Sequence, residues 1–242
     1  MGVISRRNGG PLFIAEGDLV TERAFAAGCE PVAILCSEKG ERRLAEFAPD
    51  YERYSHLASE DLRRQVTGLG VPLEVISLFK RPEPVDATAL LARFDRGVFV
   101  DNVDNPVNVG SIARNMAAMG WNALFLDDNS ADPLARRALR VSMGNAFHVP
   151  HARVSDTAAF VRTAADAGIA TVALTPAADA QPIGDLQLGT TKRLLVFGSE
   201  RDGLSSEVLD ACTHRVQIEM QPGVDSLNVA AASAIACYML RK

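Results

Sequence analysis

Gly97-Val98-Phe99-Val100, followed by Asp101-Asn102-Val103-Asp104-Asn105-Pro106-Val107-Asn108-Val109-Gly110, is the stretch on which the fold turns. Four residues with no polar side chain read as a strand buried on both faces, because a half-exposed strand would alternate. The loop after it is dense in turn formers and leads into a helix expected over Val109–Met119, with Asn108 at or near its N-cap. A buried strand, a loop and a helix in that order are the unit of a parallel α/β sheet.

The same unit recurs to the end of the chain. Strands are expected at Gly97–Val100, Ala123–Leu126, Phe147–Val149, Ala170–Leu174, Leu194–Phe197 and Arg215–Ile218. Helices are expected near Val109–Met119, Pro133–Val141, Thr157–Ala167, Ser206–Ala211 and Ser226–Leu240. Ligands of open parallel sheets sit beyond the carboxyl ends of strands. The loops after Val100, Leu174, Phe197 and Ile218 are therefore where chemistry is expected.

Upstream, shorter apolar runs alternate with polar helix formers. Runs at Leu12–Ala15, Val32–Cys36 and Leu73–Phe79 are separated by helices near Asp18–Ala27, Glu41–Phe47 and Ser59–Thr67, a small α/β unit of its own. Lys80-Arg81-Pro82-Glu83-Pro84 interrupts the pattern with two prolines among charges. The chain divides accordingly into a domain over 1–82, a linker over 83–95 and a domain over 96–242.

Composition narrows the function classes. The 242 residues are 48% hydrophobic and 23% charged, the profile of a soluble globular protein. No apolar run is long enough to span a bilayer, and Arg6 and Arg7 are not followed by an apolar leader, so a cytoplasmic location is expected. The net charge is −5, with 12 Lys+Arg against 14 Asp+Glu before residue 95 and 13 against 16 from it onward. Neither half is basic overall, which argues against nonspecific coating of nucleic acid, and any such binding must use local patches. Arg136, Arg137 and Arg140 are one candidate, although three arginines on a helix equally make a solvated face. Cys29, Cys36, Cys212 and Cys237 are scattered and read as reduced core thiols. His148 and His151 flank Pro150 without metal-ligand spacing, so no metal site is expected.

Unusual polar residues gather in the loops already singled out. Asn108 serves a cap or a site equally well when read alone. Arg114 lies six residues later in an otherwise small and apolar helix, where a charge must find solvent or a partner. After Phe197 comes Gly198-Ser199-Glu200-Arg201-Asp202-Gly203-Leu204-Ser205, in which glycine permits close backbone approach and Ser205 can open a helix. After Ile218 the chain reaches Met220, then Ser226-Leu227-Asn228-Val229 and the small-residue run Ala230–Ala236. No G-x-G-x-x-G, Walker loop or G-x-S-x-G elbow accompanies these residues, which weakens dinucleotide, triphosphate and hydrolase readings.

Three ordered segments together carry a resemblance. Asn105–Arg114 with Gly120, Leu195–Leu204, and Ile218–Met220 with Ser226–Val229 resemble the SpoU (TrmH-type) branch of the SPOUT RNA methyltransferases. Arg140–Pro150 looks like that family's intervening signature. The resemblance covers Gly97 to Leu240. The stretch from Phe13–Gly17 to Arg81-Pro82 is similar to the substrate-binding domain, with the fold of ribosomal protein L30e, that precedes many members. The basic helical lead-in of that domain is short here.

The resemblance implies an α/β parallel-sheet trefoil-knot domain preceded by a small L30e-like α/β domain. It further implies a homodimer, S-adenosylmethionine as cofactor, and methylation of a ribose 2′-hydroxyl in rRNA or tRNA, rRNA being favoured. Cofactor contacts are implied at Gly198, Ile218 and Leu227, with Leu174 and Met220 as additions. Arg114, Asn108, Glu200, Ser226 and Asn228 are implied as the catalytic set. A guanidinium is a poor proton acceptor, so Arg114 is expected to grip a phosphate or the developing alkoxide. The alternative is a noncatalytic RNA-binding or ribosome-assembly protein that keeps the knot as a scaffold.

Overall fold

The computed structural model describes residues 10–177, 179–189, 192–224 and 226–241. Arg6, Arg7 and Asp225 lie outside the described residues. The N-terminal unit comprises β1 (Leu12–Glu16), α1 (Asp18–Ala26), β2 (Pro31–Cys36), α2 (Glu38–Phe47), β3 (Ser55–Leu57), α3 (Glu60–Thr67) and β4 (Val75–Lys80). Its sheet runs β1-β4-β2-β3, with β4 antiparallel to both β1 and β2 and β3 parallel to β2. Ser37 and Ser59 cap α2 and α3 by accepting from the amides of Gly40 and Leu62. The short edge strand β3 went unread in the sequence because Ser55-His56-Leu57 carries no apolar alternation.

The C-terminal unit follows as α4 (Ala87–Arg93), β5 (Arg96–Val100), α5 (Pro106–Met119), β6 (Ala123–Leu126), α6 (Arg136–Val141), β7 (His151–Arg153), α7 (Thr157–Asp166), β8 (Ala170–Leu174), β9 (Gln181–Pro182), β10 (Arg193–Phe197), α8 (Ser206–Ala211), β11 (His214–Gln217) and α9 (Val229–Met239). The sheet is parallel throughout, in the order β7-β6-β5-β10-β8-β11-β9. Placing β10 between β5 and β8 brings the ends of strands that are distant in sequence side by side.

Unbroken apolar strands are explained by two cores. Val98, Val100, Leu124, Leu126, Leu195 and Phe197 face the layer of α5 and α9, whereas Phe99, Ala123, Phe125, Leu194 and Val196 face the layer of α4, α7 and α8. Each strand alternates between the cores instead of between core and water. A fully buried leucine or phenylalanine on either face contributes about 1.5–3 kcal/mol.

Several boundaries differ from the sequence reading. The strand expected at Phe147–Val149 is a 3-10 turn over Asn145–His148, and the strand lies after Pro150. Gly144 turns the chain at φ 78°, and the Asn145 carboxamide donates to the Ser142 carbonyl at 2.8 Å, which curls this segment before it can extend. Helix α5 starts at Pro106, with Asn105 and not Asn108 as its N-cap, so Asn108 is left free for other partners. Helix α9 starts at Val229 instead of Ser226, because Asn228 caps it through the Ala230 amide at 2.9 Å. Helix α6 begins at Arg136 because the Asp132 carboxylate ties down the preceding turn at the Leu134 amide. Within the 83–95 stretch read as a linker, Asp86 caps α4, whose Leu90 and Leu91 enter the core of the parallel sheet together with Phe94.

The two sheets share a third core. Phe13 and Phe79 of the N-terminal sheet pack with Ala113, Leu134, Leu139 and Ala146, and the Phe13 and Phe147 rings lie 5.6 Å apart. Two ion pairs frame it. Arg81 is bidentate on Asp132 at 3.2 and 2.6 Å, and Arg136 holds Glu16, whose side chain is 1% exposed. The Arg136-Arg137-Arg140 patch is thereby split: Arg136 belongs to the seam between the sheets, Arg140 is exposed but comes within 3.8 Å of the other Glu16 oxygen, and Arg137 is exposed.

Candidate functional site

A cavity of about 530 Å³ opens beyond the carboxyl ends of β8, β10 and β11. Leu174 ends β8, Phe197 ends β10, and Ile218 follows β11, so the sheet order alone converges three loops on one place. Its apolar walls include Leu174, Phe197, Ile218, Leu227 and Val229, with Met220 at one side. Gly198, Leu174, Ile218, Leu227 and Met220, the five expected cofactor contacts, all line it, as do Glu200 and Ser226.

Gly198 is dictated by local geometry. A Cβ there would overlap the carbonyl of Gly203, which comes back across the loop through its own amide to the Ser199 carbonyl at 3.0 Å. Gly203 itself sits at φ 66°, a conformation that glycine adopts without a side-chain penalty. The Gly198–Gly203 stretch is consequently a tight loop whose backbone is brought to the cavity wall, and Ser205 then caps α8 through the Val208 amide at 3.3 Å.

Asn108 is 6% exposed and joins three elements. Its Nδ2 donates to Glu200 Oε1, and its Oδ1 accepts from Asn228 Nδ2 at 3.0 Å. The Asn228 Oδ1 in turn accepts from the Ala230 amide, the N-terminal turn of α9. A carboxylate accepts only, so Glu200 fixes which end of the Asn108 amide faces it, and the orientation of Asn228 follows. The loop after β10, the first turn of α5 and the start of α9 are thus locked by one directional chain of hydrogen bonds.

Arg114 stands elsewhere. Six residues along α5 places it about a third of a turn from Asn108. It is exposed, and its guanidinium donates to the Val141 carbonyl at the end of α6, at 3.4 Å. A single chain therefore gathers Asn108, Glu200, Ser226 and Asn228 at or beside the cavity and leaves Arg114 on a different face.

Sequence reasoning missed Asn115, Thr175 and Gln217. Asn115 donates to the Ala230 carbonyl at 2.9 Å and to Ser233 Oγ at 3.0 Å, fastening α5 to α9. Its signal was a polar residue beside Arg114 in a small apolar helix opposite a run of small residues. Thr175 and Gln217 line the cavity just after β8 and at the end of β11, positions that the strand-end rule already marked. Among the described residues, no group of three or more His, Cys, Asp or Glu side chains is placed to hold a metal ion, and no helix is long and apolar enough to cross a membrane. Burial pushes the thiols of Cys212 and Cys237 up to about 12, so neither is a nucleophile at neutral pH.

The model of the SpoU rRNA Methylase family matches residues 95–238. The chain belongs to that family. A tRNA/rRNA methyltransferase of Mycobacterium tuberculosis, itself uncharacterized, is 36% identical over 236 residues, which cover 95% of this chain and 81% of the relative. The 23S rRNA (guanosine(2553)-2′-O)-methyltransferase RlmP of Bacillus subtilis is 28% identical over 230 residues, 95% of this chain and 88% of that one. Among solved structures, the SpoU methyltransferase AviRb from Streptomyces viridochromogenes in complex with the cofactor AdoMet is similar at a TM-score of 0.79 and 27% identity, covering 96% of this chain and 89% of that one. The fold is that of the SPOUT superfamily, and this SpoU protein is an S-adenosylmethionine-dependent RNA methyltransferase.

The cavity fits that cofactor on its own chemistry. Its volume lies within the ordinary range for small-molecule sites, about 300–1,000 Å³. Leu174, Ile218 and Leu227 offer apolar cover for a purine, and the backbone beside Gly198 can read its edge because no side chain intervenes.

Proposed function

We propose that this SpoU protein methylates a ribose 2′-hydroxyl of ribosomal RNA and does so as a homodimer. The observation that carries the proposal is the Glu200–Asn108–Asn228 chain beside the cavity. S-adenosylmethionine supplies an electrophilic methyl group when bound. What remains for the protein is to align a weak nucleophile and to manage its proton and charge.

Leu174, Ile218, Leu227 and the Gly198 backbone hold the cofactor, with Met220 closing one side. Glu200, Asn108 and Asn228 keep the loop after β10 and the start of α9 in one register, so that Ser226 and Asn228 present polar atoms at the cavity mouth. Arg114 grips a phosphate or stabilises the developing alkoxide. A guanidinium remains protonated at any working pH, so the proton leaves to phosphate or water.

The dimer is supported by the position of Arg114 and by exposed side chains on α5 and α9. Since Arg114 is not at the cavity of its own chain, a second copy is the direct way to bring it there. Val107 on α5 and Tyr238 and Met239 on α9 are large, exposed side chains on two helices that pack together, a surface for a second copy to cover. The rRNA preference is supported by the family and by the RlmP relative.

The test is incubation with labelled S-adenosylmethionine and either rRNA or tRNA, followed by nucleoside analysis. A 2′-O-methyl nucleoside from rRNA is expected. Cofactor binding without any 2′-O-methyl product from either RNA overturns the reading in favour of a scaffold protein. Arg114→Ala should abolish turnover and leave cofactor affinity unchanged by calorimetry. Sedimentation should give twice the monomer mass at micromolar concentration.

A further inference from the structure

The turn that follows α6 contains a conformation its sequence does not favour. Met143 adopts φ 55°, in the left-handed region where a residue with a side chain is strained, and Gly144 continues there at φ 78°. The turn is closed by the end of α6 itself, through the Met143 amide to the Arg140 carbonyl at 3.2 Å and the Gly144 amide to the Leu139 carbonyl at 2.9 Å, and a residue of the other domain adds to it: Arg23 of α1 donates from Nη1 to the Met143 carbonyl at 2.6 Å. Two residues before Met143 lies Val141, whose carbonyl accepts from Arg114.

Helix α6 is held by the N-terminal unit at both ends. At its start Arg136 bonds Glu16 and also donates to the Thr67 carbonyl at 2.7 Å, and past its end Arg23 holds Met143. Along its middle, α6 lies directly against α5, because a Cβ on Gly110 would overlap the Ala138 backbone. Gly144 also approaches α1, less tightly: a Cβ there would lie 3.2 Å from the Arg23 Cδ and 3.4 Å from the Val20 Cα. The carbonyl that receives Arg114 thus lies two residues before a left-handed turn that a guanidinium from the N-terminal domain braces.

We infer that Arg23 is a positioning residue for the methyl-transfer reaction: it stabilises the left-handed Met143 turn and thereby sets the place of the Val141 carbonyl and of Arg114. The inference rests on the reading of Arg114 as the catalytic arginine. Without Arg23 the strained Met143 is held by the cap of α6 alone, the turn visits right-handed or extended backbone more often, and the carbonyls at the end of α6 hold Arg114 less firmly. The N-terminal domain thereby acts on the reaction rate through the shape of a turn.

Steady-state kinetics with rRNA and calorimetry with S-adenosylmethionine, on the full chain, test this. Arg23→Ala should lower kcat by about ten-fold, a displaced catalytic group being worth that or more, with cofactor Kd unchanged. Arg23→Lys, which keeps one donor for the carbonyl, should stay within about three-fold of the parent. Glycine adopts the left-handed turn without strain, so Met143→Gly should retain kcat and, combined with Arg23→Ala, restore it to within about three-fold. That rescue separates turn geometry from simple loss of domain docking, which a glycine at position 143 cannot repair. An unchanged kcat in Arg23→Ala, a rise in the RNA KM alone, or no rescue by Met143→Gly overturns the inference. Should Arg23→Ala fail to fold, Met143→Val decides: a β-branched residue is costlier at this φ, so kcat must fall with Arg23 present, and an unchanged kcat overturns the inference. If Arg114→Ala itself retains turnover, it is the assignment of Arg114 that fails, whatever Arg23 does.

Discussion

Two carboxylates, Glu200 at the cavity and Glu16 at the seam between the sheets, are held in opposite ways. Glu200 is exposed and meets a neutral carboxamide, Asn108, which passes the bond on to Asn228 and α9. Glu16 is buried and meets guanidinium groups, Arg136 on one oxygen and Arg140 at 3.8 Å from the other, which has no hydrogen-bond partner. The cavity uses directional carboxamide bonds that fix where loops stand, whereas the seam uses opposite charges to keep two sheets docked. The first arrangement should govern binding and rate, and the second should govern stability.

The sharpest way to break this contrast is at the seam. Arg136→Ala leaves the Glu16 carboxylate buried with only a distant guanidinium, and removing one member of a buried pair costs about 3–5 kcal/mol. Arg140 is close enough to compensate in part, so about 3 kcal/mol is expected from urea unfolding. Cofactor affinity should be unchanged by calorimetry. A variant that keeps full stability but loses cofactor would reverse the roles given to the two sites.

At the cavity the largest single change is Gly198→Ala. The new methyl must displace the Gly203 backbone, and forcing a methyl into closed packing costs about 1–3 kcal/mol. Spent on the loop that reads the cofactor, 2 kcal/mol is about a 30-fold rise in Kd for S-adenosylmethionine. Global stability should fall by less than it does in Arg136→Ala, since the loop lies outside both cores.

How much of this was legible in the sequence follows from the same physics. The buried strands were readable because both of their faces meet apolar cores, which leaves continuous apolar runs such as Leu194–Phe197. The cavity was readable because Gly198 and Ile218 follow strand ends and Leu227 stands just before a helix, so position along the chain predicts position in space. The seam was not. Glu16 and Arg136 are 120 residues apart, and no periodicity connects a strand end in one sheet to a helix start beside the other. The strand placed at Phe147–Val149 was lost to turn chemistry, in which Gly144 and Asn145 outweigh apolar content. The partner of Arg114 was hidden for another reason: a backbone carbonyl at Val141 leaves no mark on the side-chain sequence.

Asn108→Asp sharpens the cavity half of the comparison with almost no change of shape. The aspartate can still accept from Asn228 but cannot donate to Glu200, and it sets two carboxylates against each other. Losing such a bond costs roughly 1–2 kcal/mol, and expressed in the transition state that is about ten-fold in kcat. Asn228 should keep its cap on Ala230, so helix content stays unchanged by circular dichroism. A kcat equal to the parent would show that the carboxamide relay orders nothing the reaction uses.

The smallest expected effect belongs to the seam and appears as a pH dependence. His151 opens β7 beside the Arg81–Asp132 pair, and burial holds its ring below the ordinary imidazole range; the Asp132 carboxylate and the Val149 backbone oppose this, while Arg81 and Arg153 add to it. With the folded value below the unfolded one of about 6.5, the unfolded chain takes up the proton first as the pH falls. The contribution of neutral His151 is complete above that value and is lost progressively as the pH drops toward the folded value. Urea midpoints at pH 7.5 and 5.5 should therefore differ more for the parent than for His151→Gln, with cofactor affinity moving in neither. Equal losses in both proteins would mean that this ring is not what makes the seam sensitive to acid. A parallel loss of cofactor affinity would mean that seam and cavity respond to one proton together, in which case docking of the N-terminal sheet reaches the cofactor site as well as Arg114.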